Sequence, residues 1–225
     1  MDPKGLFHFV NYAHYPTVTG YVEGEPLHAN FFVNPPANVC VMFRGEVYTL
    51  RRIHLHHCAE HIIDHTILPN PTDKWENPVD FEVHLIHGKL NQSLDAGKLV
   101  VGILYEERAG KQNRAFEQFA EAMDRKETAY KNHKHSCHNP EQFPLTIDLL
   151  DFFPTDCNEK IDFENWYHYE GSLTSEPYGE DVSWIVMRDL GAIEPKENDQ
   201  LQLLIEQHAR LPRALDRRIV VRSFV

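Results

Sequence analysis

Residues 47–57 read VYTLRRIHLHH and residues 79–87 read VDFEVHLIH, and these two stretches decide the fold. Both are rich in the branched and aromatic side chains that suit a pleated strand. In an extended chain successive side chains point to opposite faces. His54 and His56 therefore share one face of the first stretch, and Ile53 and Leu55 the other. In the second, Glu82 and His84 share a face, while Val83 and Leu85 share the opposite one. Each strand offers a core an apolar side and presents groups that bind metals or protons on the other. If the two strands are neighbours, three imidazoles converge.

Similar stretches recur along the chain: LHANFFV (27–33), VCVMF (39–43), KLVVGILYE (98–106), FPLTIDLLDFF (143–153), WYHYEGSLT (166–174), VSWIVMRDL (182–190) and RRIVVRSF (217–224). Pro, Gly and Asn punctuate them, as expected between strands. Two segments carry apolar residues at three- and four-residue spacing and read as helices, 114–131 and 198–211. There is no internal repeat and no interdomain linker. The expectation is one mainly β (α+β) domain over residues 1–225, built on a large, mostly antiparallel central sheet with peripheral helices.

The bulk numbers narrow the function. With 42% hydrophobic and 25% charged residues, the chain has enough apolar material for a real core. Lys and Arg number 22 against 34 Asp and Glu, a net charge of −12. That sign argues against nucleic acid or an anionic membrane, and for a small-molecule or protein partner. No run approaches the ~18 apolar residues of a membrane span. The opening MDPKGLFHFVNY lacks the pattern of a signal peptide. Cys40, Cys58, Cys137 and Cys157 have no CxxC spacing, which favours a reducing compartment and a cytoplasmic location. The fifteen histidines stand out.

Three imidazoles with a fourth position left to water form a catalytic zinc arrangement. An HxH pair alone does not establish one. His54, His56 and Glu60 equally match the HxH-x3-E of a cupin site, where Glu60 would be a ligand to iron or manganese and His84 would lie outside. The second histidine motif of that fold is not found. His57, His61, His65, His87, His133, His135 and His138 are expected on the surface or in loops, and HKHSCH (133–138) reads as an exposed polar loop.

Longer motifs separate the alternatives. IHLHHCAEH, FEVHLIH, LVVGIL, YEGSLTSEP and VSWIV, with the closing RALDRRIVVRSF, occur in the order and approximate spacing of the α-class carbonic anhydrases. The resemblance covers roughly residues 7 to 225. It implies a zinc lyase (carbonate dehydratase) that reversibly hydrates carbon dioxide to bicarbonate and a proton by a zinc-bound hydroxide, and that is sensitive to sulfonamides. By this resemblance His54, His56 and His84 hold Zn²⁺. Thr174 is the gatekeeper, its hydroxyl donating to Glu60 and its backbone N–H available to a bicarbonate or inhibitor oxygen. Ile86, Val100, Leu173, Val182 and Trp184 match the apolar wall for carbon dioxide. His28 matches the proton shuttle, a task suited to a side chain that titrates near neutrality. Glu82 matches the carboxylate that orients His84.

The chain also departs from the family pattern. Arg52 stands where a Gln usually accepts from the first ligand, and a cation cannot accept. His57 replaces a Trp, and the family's N-terminal segment has no counterpart. SEPYGED lacks the Cys that secreted members pair with an N-terminal one. The family also contains inactive, anhydrase-like binding modules, which usually lose a ligand histidine. All three histidines, the Thr and the Glu are present here, which favours the enzyme.

Overall fold

The computed structural model describes residues 5–35, 38–63, 79, 81–132, 141–155, 160–205 and 213–224. Its strands in chain order are β1 (Phe7–Phe9), β2 (Thr17–Val22), β3 (Asn30–Val33), β4 (Cys40–Phe43), β5 (Glu46–His57), β6 (Phe81–Lys89), β7 (Lys98–Glu107), β8 (Phe143–Asp148), β9 (Trp166–Gly171), β10 (Val182–Met187), β11 (Gly191–Ile193) and β12 (Val221–Arg222). The helices are α1 (Arg114–Asn132) and α2 (Pro195–Gln202).

All twelve strands join one sheet, ordered β12-β9-β10-β7-β6-β5-β3-β2-β8, with β4 on β5, β1 on β4 and β11 on β7. Among the described residues only β10 and β11 pair in parallel, both with β7. The large, mostly antiparallel sheet expected from the sequence is therefore present. In the central pair, β5 and β6 run antiparallel with His54 opposite His84 and His56 opposite Glu82. β3 flanks β5 and sets Asn30 opposite His54.

The alternation sorts the faces as expected. Ile53, Leu55, Val83, Leu85, Val101 and Ile103 are fully buried in the main core. α1 covers that side, and its Phe116 and Phe119 meet Phe81 and Phe31 edge to face. At roughly 25 cal/mol per Å² of apolar surface, such burial is the dominant stabilising contribution. No helix of the described residues is long and apolar enough to cross a membrane.

Three short strands, β1, β2 and β11, lie outside the stretches read as strands. TVTGYV of β2 hides behind Gly20, a residue that weakens a strand pattern. The glycine is required by close approach, because a Cβ there would fall 2.1 Å from the Phe32 carbonyl oxygen. α2 ends sooner than the 198–211 expected. It begins earlier too, at Pro195, where Glu194 and Glu197 form a capping box. Residues 206–212 lie outside the described residues.

Three histidines correct the expectation of surface placement. His57 is only 8% exposed and His87 is fully buried, while His61 belongs to the metal-type cluster described below. His65, His133, His135 and His138 lie outside the described residues, as do Cys137 and Cys157. Cys40 and Cys58 are free thiols.

His87 sits between Tyr12 Oη, 2.5 Å from its Nε2, and the Leu99 carbonyl, 3.3 Å from its Nδ1. Nδ1–H donates to the carbonyl, so Nε2 accepts from the Tyr12 hydroxyl. Burial pushes the imidazole pKa down to about 4. The unfolded chain takes up this proton near pH 6.5, so stability is full above that pH and falls as pH drops toward 4. The full loss is about 3 kcal/mol. In the metal-free protein His54 and His56 act in the same direction, and His61, whose pKa is raised, acts in the opposite one. Urea unfolding of that form is expected to show a loss of this order between pH 7 and pH 4; equal stability would contradict the neutral buried imidazole.

Candidate metal centre

The register of β5 and β6 brings three imidazoles together on the open face of the sheet. The His54 and His56 ring centroids are 4.3 Å apart, and those of His56 and His84 are 4.5 Å apart. Each outer ring is tied by one nitrogen to an oxygen acceptor. His54 Nδ1 lies 2.8 Å from Asn30 Oδ1, and His84 Nε2 lies 2.8 Å from Glu82 Oε1. Donation at those nitrogens leaves the lone pairs on His54 Nε2 and His84 Nδ1 for a ligand. His56 Nε2 is buried with no hydrogen-bond partner and lies 3.3 Å from Glu60 Oε2.

The electrostatics keep His54 and His56 neutral, as a metal needs them. Burial first, then the His84, Arg52 and His28 charges, push His54 down to about 3. Burial, followed by His54 and His84, holds His56 well below the ordinary range. Neutral, oriented imidazoles with an unsatisfied buried nitrogen among them suit a borderline cation such as Zn²⁺. The residues present therefore fit a metal, although His54, whose ring lies 4.3 Å from that of His56, is in neither group of ligand atoms that lie within 4.8 Å of one another.

Glu82 organises the surroundings. Its carboxylate is fully buried, which alone would raise its pKa, yet His61 and His84 outweigh burial and hold it well below the usual carboxylate range. Oε1 accepts from His84 Nε2 and, at 2.6 Å, from His61 Nδ1. Oε2 accepts the backbone N–H groups of Glu60 and His61 at 2.8 and 2.9 Å. One side chain of β6 thus orients an imidazole and fixes the turn that presents Glu60. Gly102 on β7 makes room, since a Cβ there would fall 2.9 Å from Glu82 Oε1. His61 Nε2 continues the chain to Tyr169 Oη at 2.6 Å. Burial opposes a charge on His61, but the Glu82 carboxylate outweighs it and raises the pKa.

A cavity of about 310 Å3 holds His54, His56, His84, Glu60, Thr174 and His28 on one surface. Ile86, Val100, Leu173 and Trp184 line it as well. Val182 does not line it, but belongs to the buried cluster of Ile86, Val100 and Trp184 against which Leu173 packs. Thr174 and Glu60 share the cavity wall. The ligand atoms of His56, Glu60 and His84 lie within 4.8 Å of one another, as do those of His61, Glu82 and His84.

Sequence reading missed several residues that shape this site. Asn30 supplies the acceptor that Arg52 cannot, which answers the departure noted at that position. Its signal was a polar side chain in LHANFFV, but only the pairing of β3 with β5 reveals its partner. Lys126 and Glu127 of α1 hold the loop carrying His28. Lys126 Nζ donates to the Glu25 and His28 carbonyls at 2.7 and 2.8 Å, and Glu127 Oε1 accepts the Leu27 N–H at 2.8 Å. Both side chains are buried. His28 itself is 44% exposed at its side chain.

Asn30→Ala removes the acceptor of His54 Nδ1. Zinc affinity is expected to fall about 10- to 100-fold, as for other partners that orient a ligand. Competition with a chromophoric chelator measures this; unchanged affinity would detach Asn30 from the site.

A broad, mostly antiparallel sheet with a histidine-lined cavity on its open face defines the architecture of the α-carbonic anhydrases. The chain belongs to the eukaryotic-type carbonic anhydrase family, whose match extends over residues 2–222. A carbonic anhydrase of Nostoc sp. (strain PCC 7120) is 24% identical over 191 residues, covering 85% of this chain and 60% of the relative. The chain spans 50–60% of the length of the curated relatives it matches. Among solved structures, dioscorin complexed with ascorbate superposes with a TM-score of 0.70 at 19% identity, covering 96% of this chain and 77% of that one. Carbonic anhydrase Cah3 from Chlamydomonas reinhardtii, in complex with acetazolamide, gives a TM-score of 0.66 at 19% identity, covering 97% and 82%.

Proposed function

We propose that this chain reversibly hydrates carbon dioxide to bicarbonate and a proton, using Zn²⁺ held by His54, His56 and His84. The observation that carries the reading is one cavity lined by three clustered imidazoles, by Thr174 and Glu60, and by an apolar wall. When bound, zinc supplies a Lewis acid that makes water acidic near neutral pH, an effect for which carbonic anhydrase is itself the standard example.

The chain's own side chains do the rest. An ionised Glu60 only accepts, so the Thr174 hydroxyl proton points to it. The Thr174 oxygen is then left to accept from the attacking water, which aims a lone pair at the substrate. Carbon dioxide carries no net dipole and rests against Ile86, Val100, Leu173 and Trp184, which exclude competing water, with Val182 packed among them. His28, at the half-exposed rim, passes the released proton to solvent, on a loop that Lys126 and Glu127 keep in place.

A second reading, in which the cavity holds a small organic molecule without turnover, is favoured by the structural neighbour solved with ascorbate. One assay separates the two. Carbon dioxide hydration is followed by a pH indicator on chelator-treated and zinc-reconstituted protein, with and without acetazolamide. Zinc-dependent, acetazolamide-sensitive hydration is expected; stoichiometric zinc without hydration would leave only the binding reading.

A further inference from the structure

A second cavity, of about 480 Å3, shares Glu60 and Thr174 with the first but contains none of His54, His56 and His84. Its volume lies in the range typical of small-molecule sites. Much of the wall is apolar, formed by Ile62, Ile63, Val186, Leu215 and Val220. Two phenols, Tyr167 and Tyr169, and two guanidinium groups, Arg213 and Arg218, also line it, with His61, Ser172, Thr174 and the Glu60 carboxylate on the side shared with the first cavity.

Two arginines give this cavity a positive side. Arg44, Arg108 and Arg188 are each paired with a carboxylate. Neither Arg213 nor Arg218 has a side-chain acceptor among the described residues, although Arg218 is half-buried. The Arg218 charge reaches inward, since it acts on the Tyr169 phenol against the upward push of burial. Tyr169 Oη is already engaged by His61, so it does not compete for an incoming group. A guanidinium fork matches a carboxylate in geometry and charge. The apolar wall, in turn, gains from covering an alkyl or aryl body. A small inorganic anion would leave that wall wet, and a neutral hydrocarbon would leave the guanidinium group unmatched.

We propose that this cavity binds an amphipathic organic anion, a carboxylate with a medium-length alkyl or aryl body, beside the metal centre and at the end away from Glu60 and Thr174. The head group meets Arg218, with Arg213 at the more exposed side. The body lies along Val186, Leu215 and Val220.

Calorimetric titration of the purified protein with octanoate tests this, with 1-octanol as the neutral match and excess acetazolamide present to block a metal centre. Saturable octanoate binding is expected, tighter than that of 1-octanol by about tenfold or more, the scale of one charge-assisted contact. Arg218→Met should abolish the difference between the two compounds, and Leu215→Trp, which fills the cavity, should weaken both. Circular dichroism establishes that each variant is folded. Equal affinity for octanoate and 1-octanol overturns the proposal without any variant. So does octanoate binding that vanishes in acetazolamide, or that survives unchanged in a folded Arg218→Met protein. The acetazolamide arm also keeps the result apart from the zinc reading, because octanoate binding at this cavity does not require a metal.

Discussion

Replacing His84 by alanine is expected to strip the protein of zinc, reducing stoichiometric metal to a small fraction while the fold survives. In the proposed site β6 contributes His84, and the other two ligands come from β5, two residues apart. Two imidazoles on one strand cannot close a tetrahedral site, and two ligands seldom hold zinc tightly. The substitution also removes one of the two imidazoles on Glu82, but His61 and two backbone N–H groups still satisfy that buried carboxylate. That residual network keeps the loss local. Metal analysis after gel filtration is the measurement. Stoichiometric zinc in the variant would mean that a different set holds the ion, with Glu60 the obvious substitute beside His56.

Thr174→Ala should leave zinc in place and lower carbon dioxide hydration by about two orders of magnitude or more, the scale of losing one preorganised hydrogen bond at a reacting oxygen. Thr174 lines the cavity with Glu60 and is not one of the proposed ligands. In the proposed mechanism its loss removes the group that orients the attacking water, while the apolar wall remains. Thr174→Ser keeps the hydroxyl and should recover most of the activity. Unchanged turnover in the alanine variant would remove Thr174 from the mechanism.

The legible parts of this molecule are those governed by strand alternation. His54 and His56 fall on one face because they are two apart, and Ile53 and Leu55 fall on the other for the same reason. His84 opposite His54 follows once β5 and β6 are neighbours. The same rule also marked His87, since Phe81, Val83, Leu85 and His87 alternate onto one face, and that face is the core. The expectation of a surface histidine gave polarity more weight than position; Tyr12, distant in sequence, supplies the compensating partner.

Other features depend on contacts that no local pattern encodes. His61 lies beyond the end of β5, where alternation has stopped, and is held inward by the Glu82 carboxylate of β6 and the Tyr169 hydroxyl of β9. Asn30 serves His54 through a strand pairing that joins residues far apart in the chain. Lys126 and Glu127 sit on the buried side of α1 with charged side chains, against the usual pattern, because the loop beneath offers them backbone carbonyls and an N–H. The Arg218 cavity gathers residues from four separate segments, none unusual alone.

A crystal structure of the zinc-loaded protein, with the metal located by anomalous scattering, tests whether three imidazoles bind the ion. One ion is expected, bonded to His54, His56 and His84 at about 2.0–2.1 Å, with a single non-protein oxygen completing the tetrahedron. Glu60 should remain outside the coordination sphere. An ion held by His56, Glu60 and His84, with His54 left aside, would contradict it.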